Sequence, residues 1–197
     1  LAAKRAAPRL SLTILFVACQ LLDLIWPVVA VIGLEKAAIN HSLPTFNALD
    51  LIEAPYSHSL GMAIIWSILF GVFIKLFTRS GYLAAVAALV VFSHWILDFM
   101  TLIPDLALWF NSEKVGLGLW RSAWGTFFVE TPIFLFGVIL YLKSVYPLTK
   151  RRTTVFGLMV AFLFLFHLGH LFGPKPPETT STYMVAAPAF AMWLIIL

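Results

Sequence analysis

Six runs of predominantly apolar residues, near 10–33, 57–77, 82–103, 125–146, 153–173 and 181–197, leave this chain few ways to fold. A helix needs about 20 apolar residues to cross a hydrocarbon core roughly 30 Å thick. Within that core the backbone must satisfy its own N–H and C=O groups, which a helix does segment by segment. The breaks between runs have the chemistry of turns: Arg79-Ser80-Gly81, Tyr146-Pro147 followed by Lys150, Arg151 and Arg152, and Gly173-Pro174-Lys175-Pro176-Pro177. Only 11% of the residues are charged and 61% are hydrophobic, whereas soluble domains carry roughly 25% charged residues. An ordinary soluble domain is therefore excluded. The expected fold is an all-α, polytopic membrane helix bundle with about six transmembrane helices, a single domain over residues 1–197. Because the sequence begins at Leu1 and stops inside an apolar run, truncation at both ends is expected. The single cysteine, Cys19, excludes an internal disulfide and a thiolate metal cluster, and its apolar neighbours predict an inert buried thiol.

Orientation follows from the basic residues, because cationic loops stay on the cytoplasmic side. Lys4, Arg5, Arg9, Lys75, Arg79, Lys143, Lys150, Arg151 and Arg152 all fall on one side, nine of the 13 basic residues with no acidic one among them. That side, with the N-terminus, is expected to be cytoplasmic. The other side mixes Lys36, Lys114, Arg121 and Lys175 with Glu35, Asp50, Glu53, Asp105, Glu113 and Glu178. The net charge of +4 is thus an orientation signal. It predicts no nucleic-acid partner, since the basic residues sit at helix ends instead of forming a patch on an aqueous surface.

Against this background, Asp23, His58, His94, Asp98, Glu130, His167 and His170 stand out as ionisable residues within or at the ends of spans, all in the outer half. A charge at the centre of a membrane helix costs roughly 2.5 to 3.5 kcal/mol on insertion scales and persists when paired, hydrated or functional. His94 and Asp98, four residues apart, emerge about 40° apart on a helix and one turn above each other. Imidazole nitrogen and carboxylate oxygen are the ligands that zinc, manganese and iron accept in catalytic sites. With Asp23 and His58 they make a candidate divalent-metal set, zinc foremost, of the kind helix bundles build in their interiors. A proton site, or plain polar glue between helices, accounts for the same residues.

His167 and His170 share a helix face and are also satisfied as polar tips at the membrane boundary. Glu130 is a candidate general base or a partner that orients a histidine. Arg121 is a candidate contact for an anionic substrate group. Trp26, Trp95, Trp109, Trp120 and Trp124 are assigned to an interfacial aromatic belt. The connection at 34–56 mixes apolar and acidic residues, and its length suggests a segment lying over the site. Asn40-His41-Ser42 matches a glycosylation acceptor, a frequent chance pattern.

The stretches Tyr56-Ser57-His58-Ser59-Leu60 and Ser93-His94-Trp95-Ile96-Leu97-Asp98-Phe99-Met100-Thr101 resemble motifs of the LexA-regulated, YdjM-like family of bacterial inner-membrane proteins, regarded as metal-dependent hydrolases. The resemblance covers roughly residues 15–120, including Gly116-Leu117-Gly118-Leu119-Trp120, and places Asp23, His58, His94 and Asp98 at the family's motif positions. It implies a metal site and a hydrolytic activity akin to zinc-dependent phospholipases. The chain departs from the family pattern in having one carboxylate, Asp23, where paired aspartates are common.

Two functions follow as expectations. In the first, Asp23, His58, His94 and Asp98 hold a metal that acidifies water and polarises an ester of an amphiphilic, phospholipid-like substrate at the outer interface, with membrane lipids as the chain's partners. In the second, the chain is a non-catalytic accessory or structural subunit of a larger membrane protein complex, and the polar residues tie its helices together. A proton or ion relay is less well supported, because no ionisable chain continues to the cytoplasmic side.

Overall fold

The computed structural model describes residues 1–110 and 112–185. After a short helix α1 (Ala3–Ala6), Ser11 accepts a hydrogen bond from the Ile14 N–H and opens α2 (Leu12–Cys19), which is followed by α3 (Leu21–Val31). Two long helices, α4 (Leu60–Thr78) and α5 (Gly81–Thr101), form an antiparallel hairpin, and α6 (Ala123–Val145) and α7 (Lys150–Phe172) form another. The tight turn between α4 and α5 uses Arg79 in the left-handed region and Ser80 as the cap of α5.

Small residues explain how closely α4 and α5 approach. Ala63, Ser67 and Gly71 of α4 are buried at helical spacing, as are Ala84, Ala87 and Val91 of α5. A Cβ added at Gly71 would press on the Ala84 carbonyl and the Ala88 methyl. Lipid tails are as apolar as the side chains they would replace, so close backbone packing of this kind drives membrane helices together. Helices α2 and α3 complete the bundle: Ala18, Leu22 and Trp26 share a core with Ala63, Val91 and Trp95. Helices α6 and α7 meet through the Phe134–Phe164 and Tyr141–Phe156 ring stacks and otherwise expose apolar side chains such as Phe128, Phe136, Leu158 and Leu165.

Four helices among the described residues are long and apolar enough to span a membrane, and the α2–α3 pair makes a fifth when counted as one bent span. The expected sixth run, 181–197, lies largely outside the described residues. The first run, expected as one helix over 10–33, is instead broken at Gln20 with a 55° bend.

The fold is helical, as expected, but two small sheets lie outside the spans. Strands β1 (Lys36–Ile39) and β2 (Leu49–Glu53) pair antiparallel, with Ala38 opposite Asp50 and Ile39 opposite Leu49. The expected covering loop is therefore in part a hairpin. Ala37, Ile39 and Leu51 point inward, the period of two that a half-buried strand requires. Strands β3 (Leu106–Ala107) and β4 (Lys114–Val115) make a second pair, and Lys114 Nζ donates to the Leu51 and Ile52 carbonyls, joining the two sheets. Segment 176–182 straps the first hairpin: Thr182 Oγ1 accepts from Ala37 N and donates to Ala37 O, while Glu178 accepts from His41 N.

Candidate metal centre

The break at Gln20 shapes the site. In a continuous helix the Cys19 carbonyl would accept from the Asp23 N–H; here it accepts instead from His94 Nδ1 at 2.8 Å, linking α2 to α5. Beyond the break, α3 carries Asp23 toward the two imidazoles. Pro27, inside α3, has no N–H to offer the Asp23 carbonyl.

His58 sits in the turn just before α4, and that turn is held from several sides. Trp66 Nε1 donates to the Tyr56 carbonyl, Trp95 Nε1 to the His58 carbonyl, and Ser59 Oγ to the Pro55 carbonyl. Ser59 also accepts from Met62 N, so the same residue caps α4. Asp98 lies near the end of α5. There Leu117 N and Gly118 N donate to the Phe99 and Leu102 carbonyls, which the helix itself cannot satisfy. Gly116 makes this docking possible, because a Cβ there would collide with the Leu102 and Ile103 carbonyls, and Gly118 adopts φ +73.

The side chains of Asp23, His58 and His94 converge: one ligand atom from each lies within 4.8 Å of the other two. Asp23 Oδ1 is 3.3 Å from His58 Nε2 and 3.5 Å from His94 Nε2. Asp98 Oδ2 is 3.2 Å from His94 Nε2 and 3.8 Å from His58 Nε2. It contacts both rings without joining the mutually close trio, and so stands across the imidazoles from Asp23. Zinc bonds of about 2.0 to 2.2 Å set the ligand atoms around one ion roughly 3 to 4 Å apart.

The donor set fits a cation. A carbonyl only accepts, so His94 Nδ1 carries a proton, and in the neutral ring Nε2 is left with its lone pair. That Nε2 and Asp98 Oδ2 are both buried and have no hydrogen-bond partner among the described residues. Two acceptors facing each other at 3.2 Å repel unless a positive species lies between or beside them. The imidazoles are 7% and 9% exposed and Asp23 is 32% exposed, so the cluster is reached past Asp23.

Glu130 and Arg121 lie outside this convergence. Glu130 Oε1 accepts from Trp120 Nε1 at 3.3 Å and its Oε2 is 3.4 Å from His167 Nδ1, while His167 Nε2 lies 3.3 Å from Thr131 Oγ1. The two His167 contacts tie α6 to α7, and the Trp120 contact ties α6 to the turn before it. His170 meets Phe46 and Trp120 edge-on. Arg121, at the end of a 3₁₀ turn (Leu119–Arg121), is exposed and lies over Gly118. The aromatic-belt reading holds poorly for Trp26 and Trp95, which are buried in the core; Trp109 and Trp124 are exposed. Asn40 Oδ1 accepts from the N–H and hydroxyl of Ser42, a local turn.

Glu35 and Ser57 were not singled out by sequence. Glu35 is 1% exposed, and its carboxylate accepts from Tyr56 N at 2.7 Å, Ser57 N at 2.8 Å and Ser57 Oγ at 2.6 Å. Ser57 Oγ in turn lies 2.6 Å from His58 Nδ1. The sequence signal was slight: Ser57 adjoins the candidate ligand His58, and nothing local marks Glu35. On the same side, beyond α5, burial pushes the Asp105 carboxyl up to about 6 against the opposing pull of Lys114.

The sequence model of the YdjM inner membrane protein family matches residues 47–173. No curated protein matches the chain, and no solved structure does.

Proposed function

The chain belongs to the YdjM inner membrane protein family and is an integral inner-membrane protein, and from that premise we propose that it is a metal-dependent hydrolase of amphiphilic esters. The observation that carries this reading is the convergence of Asp23, His58 and His94, with Asp98 against both rings. Asp23, His58 and His94 would hold a divalent ion, zinc foremost, and Asp98 would complete the set. Such an ion supplies Lewis acidity for polarising an ester or phosphoryl oxygen and for acidifying water.

The residues around it supply position. Cys19 and Ser57 hold the two rings, and the Trp95 indole fixes the backbone at His58. Asp23, the most exposed of the four, faces the approach. Because the cluster lies where α4 begins and α5 ends, beneath the hairpin, a lipid whose head group reaches this level suits it better than a fully soluble molecule. Arg121, exposed and in no ion pair among the described residues, serves as the contact for an anionic head group, and Glu130, held by Trp120, is a partner that orients His167. By the distribution of basic residues, the N-terminus is cytoplasmic and the site faces the periplasm.

The test is release of fatty acid or phosphorylated head group from phospholipid vesicles containing purified, zinc-loaded protein. Release that stops on chelation and is absent from His58→Ala supports the reading. Equal, background release from both proteins overturns it.

The broad apolar faces of α6 and α7 favour a second reading, in which the chain is a subunit of a larger membrane assembly. Native mass spectrometry in mild detergent would then show a stoichiometric protein partner and no metal.

A further inference from the structure

We infer that Glu35 is a positioning residue that acts through Ser57 to choose which nitrogen of His58 carries the proton, leaving Nε2 bare on the side of Asp23 and Asp98. The consequence for metal affinity rests on the hydrolase reading above; the proton's location does not.

The number of available donors fixes where the proton sits. An ionised carboxylate only accepts. Glu35 Oε1 accepts two backbone N–H groups, from Tyr56 and Ser57, and Oε2 lies 2.6 Å from Ser57 Oγ. The serine has a single hydroxyl proton, and it is committed to Oε2. Toward His58 Nδ1, also at 2.6 Å, Ser57 therefore offers a lone pair, so Nδ1 must be the donor. Asp23 Oδ1, within hydrogen-bonding distance of Nε2 at 3.3 Å, competes for the same proton, but the shorter 2.6 Å contact with Ser57 Oγ holds it on Nδ1, so the neutral ring presents an unprotonated Nε2 toward Asp23 and, at 3.8 Å, Asp98. The relay is dry, with Glu35 1% exposed and Ser57 fully buried, so water does not compete for these partners.

His94 reaches the same state by a simpler route, through the Cys19 carbonyl. The two rings thus show opposite solutions to one requirement: a backbone acceptor fixes one, and a buried carboxylate acting through a hydroxyl fixes the other. Partners of this kind hold ring orientation and ligand basicity, and losing one typically costs about 10- to 100-fold in metal affinity.

Glu35→Gln reverses the relay without removing bulk. The amide oxygen still accepts from Tyr56 N and Ser57 N, but an NH₂ now faces Ser57 Oγ and donates to it. The serine proton turns to His58 Nδ1, and the ring proton moves to Nε2, where it blocks ligation.

The experiment is nitrogen-15 NMR of the histidine side chains in full-length protein, metal-free and alkaline enough for both rings to be neutral, paired with zinc titration at neutral pH. In the wild type both His58 and His94 should carry the proton on Nδ1. In Glu35→Gln the His58 proton should move to Nε2 while His94 stays unchanged as an internal control, and zinc affinity should fall about 10- to 100-fold. The same His58 tautomer in both proteins overturns the inference. If the tautomer switches but neither protein takes up zinc, the relay stands and the metal reading falls. If zinc binds to both alike with no switch, the metal reading stands and the relay falls. Should Glu35→Gln not fold, Ser57→Ala keeps the bonds to Oε1 and cuts the relay; a His58 that still keeps its proton wholly on Nδ1, with wild-type zinc affinity, overturns the inference.

Discussion

His94 Nδ1 donates to the Cys19 backbone carbonyl at 2.8 Å, a bond across 75 residues that exists because the first apolar run is broken at Gln20. One defect in one helix thereby orients a ring on another, and the same break lets α3 present Asp23 to that ring. Broken helices are tolerated at membrane depth where the freed backbone groups face protein.

His94→Ala leaves that carbonyl without its donor. A buried backbone acceptor left unpaired costs about 1 to 3 kcal/mol. The variant should melt correspondingly lower in detergent, measured with both proteins metal-free; an unchanged melting temperature would show that the carbonyl finds another partner.

Two glycines near the site should respond differently to alanine. At Gly116 the new methyl meets the backbone carbonyls of Leu102 and Ile103, which accept from Gly118 N and Asp105 N and cannot move without loosening those bonds, so a loss of about 2 kcal/mol or more is expected. At Gly61 it meets the indole of Trp109, which is half exposed and can swing away. Gly61→Ala should cost less than Gly116→Ala, and should shift tryptophan fluorescence to the red. A reversed order of the two melting temperatures would contradict this packing.

Asp105 predicts a specific pH dependence. Its folded pKa, raised by burial to about 6, lies above the usual 3.8, so the folded state binds more protons and stability falls as pH rises from about 4 through 6. Asp105→Asn should be more stable than the wild type above pH 6, and the difference should vanish below about pH 4. Lys114 and Asp50 remain in both proteins, so the comparison isolates the carboxyl. A difference that does not change with pH would contradict the assignment.

Glu130→Gln tests whether the α6–α7 tie is separate from the metal centre. Polar contacts between membrane helices average about 0.6 kcal/mol, so a small loss of stability with unchanged zinc content is expected. Loss of hydrolysis at full zinc content would fit a base at Glu130, whereas loss of zinc would place it among the ligands.

What was legible in the sequence was whatever the bilayer makes costly. The apolar runs had to be helices, and His94 and Asp98 at four-residue spacing had to share a face. Gln20 carries no such mark: glutamine is a good helix former, so nothing in the local sequence announces the break. Glu35 was hidden for the opposite reason, since an acidic residue in a connection between apolar runs is unremarkable until its carboxylate is found bonded to the turn that carries His58. The hairpin strands alternate over too few residues to outweigh the loop residues between them. Trp26 and Trp95 look no different in sequence from the exposed Trp109 and Trp124, and only their packing sets them apart.

The most direct test is X-ray absorption at the zinc edge on protein purified with zinc. The account predicts one tightly held ion with two imidazole nitrogens and at least one carboxylate oxygen at about 2.0 to 2.2 Å, lost in the His58→Ala/His94→Ala double variant. Zinc bound without imidazole, or retained equally by the double variant, would contradict it.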